Sequence, residues 1–314
     1  MRRYGIYGVW LLCGWLVVGC GTPRPAREPD PMPDPYFQRM ITSGHAAFER
    51  GDVVRAAELY ANAWTRAQVM DRPQAMGAAA HNLALCNIAL GHWPEAQRLL
   101  RAARAELERG GEPVIDTWVL EAEVLRHLGQ TDLAWDATEE ALTRIDGRRA
   151  WRTAEIQVRS LRALMALDQD DPTTAQAEFE RAESILFRRA GRRVQARLAE
   201  VRGRLAWAND DPARAAEAFD EEARLYRVDG RFPDMARALH RAGRAHERTE
   251  APATAADRYF RAARHYAARA NDAEALRLLE RALPLLKTVE DPELTTRIAD
   301  LVEAVLSRME DDHE

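Results

Sequence analysis

Three cysteines, eight histidines and a dense population of arginines and carboxylates are the residues of this chain equipped to do chemistry. The histidines stand at 45, 81, 92, 127, 240, 246, 265 and 313. No pair has the HExxH spacing that sets two imidazoles on one helical face for a metal, and no cysteine pair could complete a zinc site. His240 and His246 are six apart, which puts them on different faces of a helix. The sequence has no glycine-rich phosphate loop and no GxSxG nucleophile elbow. Cys86, beside Ala84 and Leu85 in an apolar stretch, reads as an inert core thiol. These residues point away from an enzyme and call for no metal and no cofactor. The remaining chemistry is recognition: Lys287 is the only lysine, so arginine, a bidentate fork for carboxylates, carries nearly all the positive charge.

Composition says what must position such groups. The 314 residues are 46% hydrophobic and 30% charged, which excludes a disordered chain and a polytopic membrane protein. A net charge of −5 gives no bulk electrostatic reason to bind nucleic acid. Of the 15 prolines, 6 fall between residues 21 and 36, leaving the rest free to be almost continuously helical.

Arg2 and Arg3 precede an uncharged run from Tyr4 to Pro23, with an apolar core at Val9–Val18. A positive start, a short apolar core and a small residue before the cut make a secretory signal. The run ends Val17-Val18-Gly19-Cys20, which resembles the lipobox of bacterial lipoproteins. The resemblance implies cleavage after residue 19 and acylation of Cys20, a stable membrane anchor because more than one acyl chain is attached. Gly21 stands where an Asp would favour inner-membrane retention, so the expected location is the cell envelope, at the periplasmic face of the outer membrane. An uncleaved single-span anchor is the alternative. Residues 20–36 then form the lipidated Cys and a Pro-rich, semi-rigid tether. Removing Arg2 and Arg3 with the signal changes 45 basic residues against 50 acidic ones to 43 against 50, a net −7.

From residue 37 to 314 the chain repeats itself. Gly51, Gly91, Gly129, Asp170, Asp210, Glu250 and Glu290 sit at turn-like points spaced 40, 38, 41, 40, 40 and 40 apart, which signals a solenoid of about seven units. Seven positions before the turn stands a small residue: Gly44, Ala84, Ala122, Ala163, Gly203, Gly243. Five after it stands Ala56, Ala96, Ala134, Ala175, Ala215 or Ala255, and four further on a large residue, Tyr60, Leu100, Phe179, Phe219 or Tyr259, with Thr138 the exception. Three later comes Ala63, Ala103, Ala141, Ala182 or Ala262, with Glu222 the exception. Small side chains let helix axes approach closely while a bulky neighbour fills the gap. This small–large–small spacing resembles the tetratricopeptide repeat, although the period here is 40 and not 34. The resemblance implies an all-α, right-handed superhelical solenoid of antiparallel helix pairs. The seventh unit is degenerate, with Leu283, Thr295, Ala299 and Val302 at the matching places, and reads as a cap.

Asp171-Pro172, Asp211-Pro212 and Asp291-Pro292 place an N-cap acceptor before a proline at the first helical position. Arg188, Arg189 and Arg227 fall near the other ends of the second helices. The expectation is one acidic and one basic edge, the basic one also gathering Arg144, Arg148, Arg149, Arg152, Arg192 and Arg193. In tetratricopeptide arrays the first helix of each repeat lines a concave groove. Carried over, that frame exposes Gln38, His45, Glu49, His81, Glu123 and Arg126, then Arg197, Glu200, Arg204 and Trp207, then Arg237, His240, Arg244 and Arg248. Arg197, Arg204, Trp207, Arg237, His240, Arg244 and Arg248 combine arginine with an aromatic, the composition of interface hot spots. The expected function is a membrane-anchored scaffold whose groove takes an acidic or C-terminal-carboxylate segment of an envelope protein, accessory to an outer-membrane or cell-wall assembly machine. The alternative is a periplasmic receptor for a small molecule or glycan. The six tryptophans after the signal (64, 93, 118, 135, 151, 207) are spread over five repeats and favour protein binding.

Overall fold

The computed structural model describes residues 34–145, 147, 149–187, 190–287 and 291–311. The signal segment, the Cys20 lipobox, the tether through residue 33, and Arg148, Arg188 and Arg189 lie outside the described residues. Among the described residues fourteen α-helices make up the fold, as seven consecutive pairs joined by short turns. The pairs are α1 (Pro35–Glu49) with α2 (Val53–Val69), α3 (Pro73–Ala89) with α4 (Trp93–Arg109), and α5 (Ile115–His127) with α6 (Thr131–Arg144). Next come α7 (Arg152–Asp168) with α8 (Pro172–Ser184), α9 (Arg192–Ala208) with α10 (Pro212–Val228), α11 (Phe232–Arg248) with α12 (Pro252–Ala267), and α13 (Asp272–Leu286) with α14 (Pro292–Asp311). Each helix packs on its sequence neighbours, so the apolar core is a chain of clusters along the array. No helix among the described residues is long and apolar enough to cross a membrane.

The first helix begins at Pro35, two residues before the solenoid was expected to start. Asp34 Oδ1 accepts the Phe37 amide proton at 2.7 Å, and Pro35 occupies the position where a missing N–H costs nothing. The same device recurs inside the repeats. Asp171, Asp211 and Asp291 accept from the amides of Thr174, Arg214 and Leu294 at 3.0, 3.0 and 2.9 Å.

The 40-residue spacing is a spacing of left-handed residues. Gly51, Gly91, Gly129, Asp170, Asp210 and Glu250 have φ of +81°, +77°, +71°, +57°, +58° and +55°. The amide one residue beyond each donates back to a carbonyl five residues earlier: Asp52 to Ala47 at 3.0 Å, His92 to Asn87 at 2.8 Å, Asp211 to Ala206 at 2.9 Å. This is the Schellman closure of a helix C-terminus. It stops the first helix of each of the first six pairs at the same register and reverses the chain.

Register fixes the contact within each pair. A Cβ added at Gly44, Gly203 or Gly243 would lie 2.7, 2.6 or 2.7 Å from Cε1 of Tyr60, Phe219 or Tyr259. The alanines of the repeat pattern, from Ala56 to Ala262, are fully buried. In the seventh pair sizes are exchanged, with Leu283 at the small position and Ala299 at the large one. Leu283 and Leu306 stay exposed there, and with Ala299 and Val302 they line an open cleft of about 550 Å³.

The expected segregation into an acidic and a basic edge is corrected by the structure, because each edge carries both signs. Arg126 and Arg204 bond Asp168, and Arg248 bonds Asp210, on the side of the aspartate caps. At the opposite ends Arg193 bonds Asp229 and Arg109 meets Asp71. A helix-end arginine finds a carboxylate on a neighbouring helix of the same or the adjacent repeat, so dipole and ion-pair preferences are met together.

Two substitutions test this packing. Gly243→Ala forces a methyl into the Tyr259 ring and is expected to cost about 1–3 kcal/mol. Ala270, exposed at φ +55°, sits in the same left-handed turn conformation between repeats, and Ala270→Gly is expected to stabilise by up to about 1 kcal/mol. Shifts of the urea midpoint in opposite directions check both.

Candidate partner-binding groove

The first helices of the pairs present equivalent positions to one side of the array. Glu123 on α5, Leu164 on α7 and Arg204 on α9 each follow the small residue of their repeat, and Arg126, Leu167 and Trp207 stand three further along. In the fourth pair these positions are not exposed. Ser160 and Leu164 have no accessible surface, and Leu167 is also buried. The helices on either side close over α7, and a set of ion pairs holds them there.

Arg197 on α9 reaches Glu123 on α5, two repeats away. Its Nη2 donates to Glu123 Oε1 and Oε2 at 2.7 and 2.9 Å. At the end of α7, Asp168 accepts from Arg126 Nε of α5 at 2.6 Å and from Arg204 Nη2 of α9 at 2.7 Å. Side chains two repeats apart can meet only on the inside of a curve, so the first helices line the inner face. The network continues inward. Arg197 lies 3.9 Å from Glu200, Arg241 lies 3.6 Å from Glu200, and Arg241 Nη2 donates to Glu222 Oε1 at 2.6 Å.

Burial and neighbouring charges push these carboxyls apart. Burial would raise Glu123, but Arg197, aided by His127 and Arg126, overrides it and holds the group at about 2. Asp168 and Glu200 are likewise lowered against burial, by Arg126 and Arg204 in one case and by Arg241 and Arg197 in the other. Glu222 goes the other way. It is 1% exposed, its Oε2 has no hydrogen-bond partner, and burial with the nearby Glu200 charge pushes it up to about 8 despite Arg241.

The seven sequence-derived groove residues fall into three situations. Arg197 and Arg204 are engaged in the strap across α7. Arg237 pairs with Asp234 on its own helix, and His240 stands edge-on to Tyr259 with centroids 6.0 Å apart. Trp207, Arg244 and Arg248 are brought together: the two guanidinium carbons lie 5.1 and 5.0 Å from the indole centroid. Arg248 also bonds Asp210 at 2.5 Å, whereas Arg244 is exposed and has no carboxylate partner among the described residues. Sequence reasoning missed Asp168, Arg241 and Glu222 as members of the network. The signal was present for Glu222, which breaks the alanine pattern at its position. Cys86 is buried as expected, which pushes its thiol up to about 11. Among the described residues no group of three or more His, Cys, Asp or Glu could hold a metal ion.

Solved structures share this architecture at low sequence identity. The STAND protein with a tetratricopeptide repeat sensor from Pyrococcus horikoshii aligns at TM-score 0.54 and 12% identity, over 86% of this chain and 44% of that one. The fold is a tetratricopeptide-like solenoid. NprR in complex with its cognate peptide NprX aligns at TM-score 0.57 and 12% identity, over 87% of this chain and 78% of that one. The Cut9–Hcn1 hetero-tetramer of APC/C aligns at 0.58 and 16%, over 79% of this chain and 42% of that one. No protein-family model and no curated protein matches the sequence. Within this solenoid the buried positions of the fourth repeat interrupt the inner face, and Trp207, Arg244 and Arg248 lie on its C-terminal side.

Glu222 gives the solenoid a pH dependence whose sign can be worked out. A carboxyl whose folded pKa exceeds its unfolded value retains a proton that the unfolded chain has released. Its contribution is fully present below 4.5 and is lost as pH rises toward 8. Glu222→Gln is therefore expected to match wild type at pH 4.5 and to exceed it at pH 8.5 by on the order of 1 kcal/mol or more. Denaturant titrations at the two pH values check this.

Proposed function

We propose that this protein is a protein–protein interaction scaffold whose C-terminal half-groove takes an acidic segment, peptide or helix, of its partner. The observation that carries the reading is the exposed Arg244 guanidinium beside Trp207, joined by Arg248 on the same ring. An arginine free of internal carboxylates next to an aromatic platform offers both a charge-assisted fork and desolvating area. The solenoid similarity to NprR, whose structure holds its cognate peptide, and to the Cut9–Hcn1 assembly supports a binding role. Among the described residues no catalytic or metal cluster competes with that reading.

The proposal includes location. The Arg2-Arg3 start, the apolar run and Val17-Val18-Gly19-Cys20 support a lipoprotein anchored through Cys20 in the cell envelope, at the periplasmic face of the outer membrane. A scaffold held there serves assembly of an outer-membrane or cell-wall machine.

Affinity capture from mildly solubilised envelopes tests the groove. Arg244→Glu with Trp207→Ala is expected to lose the partner that wild type retains, and unchanged capture overturns the reading. Arg204 is a poor probe, because reversing its charge also breaks its bond to Asp168. Cys20→Ala is expected to lose lipid label and leave the membrane fraction. An unlabelled wild-type protein would refute the anchor without touching the groove.

A further inference from the structure

Outside the inner face, the second helices of the fifth and sixth repeats enclose a cleft of about 180 Å³. Its walls are Asp220, Ala223, Arg224 and Arg227 of α10 and Arg258 and Arg261 of α12, and Leu239 of α11 closes the floor. Four arginines thus line one small space. Arg224 is spent on Glu221, with bonds of 2.7 and 2.6 Å. Arg258 is spent on Asp220 at 2.7 and 3.1 Å and on Asp257 at 2.6 Å. His246 adds a bond of 2.9 Å to the same Asp220, leaving that carboxylate saturated. Arg261 has only a 3.5 Å approach to the already shared Asp257, and Arg227 has no ion-pair partner among the described residues.

Repeat architecture does not account for the two under-neutralised arginines. Forty residues before Arg227 and Arg261 stand Phe187 and Glu221, and forty after them stand Ala267 and Leu301. The end of α10 favours a cation at Arg227, but nothing in the helix dipole calls for Arg261 on the facing wall. We propose that this cleft is an anion site for a phosphate group, free or borne on a small phosphoester, held between Arg227 and Arg261. Arg227 and Arg261 line opposite walls of the cleft, so a ligand that bonds both needs acceptors in more than one direction. A tetrahedral phosphate has these, whereas a single planar carboxylate fills one fork. The cleft volume suits one such group and not a folded peptide. This site is separate from the groove, and neither depends on the other.

Isothermal titration of the full chain in detergent, at fixed ionic strength, tests the assignment with three phosphates: inorganic phosphate, sn-glycerol 3-phosphate and glycerophosphoglycerol. Acetate serves as the carboxylate control. Saturable 1:1 binding of at least one phosphate is expected, weakened at least ten-fold in Arg227→Ala/Arg261→Ala and unchanged in Arg214→Ala, whose side chain is exposed at the other end of α10. Arg227→Lys/Arg261→Lys is expected to recover only part of the loss, because lysine lacks the fork. Preference for the diester identifies a lipid headgroup as the source of the phosphate, and preference for the monoester or inorganic ion identifies a soluble one. The site is overturned by absence of saturable binding, by equal binding of acetate, or by wild-type affinity in the double alanine variant. A thermal melt of each variant checks that the fold is retained.

Discussion

The bidentate bond from Arg197 to Glu123 joins residues seventy-four apart in sequence and two repeats apart in the solenoid, and the shape of the inner face depends on it. Neither side chain would be placed there without compensation. Each is about one-quarter exposed, and a half-buried charge that loses its partner costs more than the pair contributes. The energetic weight of the strap therefore lies in what its absence would leave, an uncompensated guanidinium or carboxylate over an apolar helix. Asp168, shared between Arg126 and Arg204, makes the same demand at the end of α7. Together they close α5 and α9 over the fourth repeat and separate an N-terminal half-groove from a C-terminal one.

Most of the architecture is legible in the sequence because it rests on local rules. A left-handed C′ residue every forty positions, a small residue seven before it and a large one nine after it are each set within one helix pair. Gly203 against Phe219 and Gly243 against Tyr259 show the reciprocity directly, since the ring occupies the space of the missing methyl. The aspartate caps are equally local. What escaped prediction is set between repeats. That Arg197 meets Glu123 depends on the curvature of three repeats, which no single period encodes. The burial of Ser160, Leu164 and Leu167 left a trace, because the fourth repeat carries no charge at those three places while the repeats on either side carry Glu123, Arg126, Glu200 and Arg204.

The same logic explains how so many arginines coexist with mild net acidity. Arg126, Arg197, Arg204 and Arg248, first assigned to the groove, bond carboxylates one or two repeats away, and Arg237 and Arg193 find theirs within their own helix or helix pair. Those less fully neutralised are the informative ones: Arg244 beside Trp207 on the inside, and Arg227 with Arg261 on the outside. Glu222 is the converse case. It occupies an alanine position, and the second carboxyl oxygen it buries has no donor, which makes it a source of pH sensitivity within an otherwise repetitive interior.

The closure of the inner face over α7 is tested most directly by side-chain accessibility. Ser160 and His240 occupy equivalent positions in the fourth and sixth repeats, the first fully buried and the second partly exposed. The rate of thiol alkylation in native protein, mapped by peptide mass, compares Ser160→Cys with His240→Cys. Closure predicts that position 160 reacts at least about a hundred-fold more slowly, since its exposure requires local opening of packed helices. Equal rates at the two positions would contradict a divided groove.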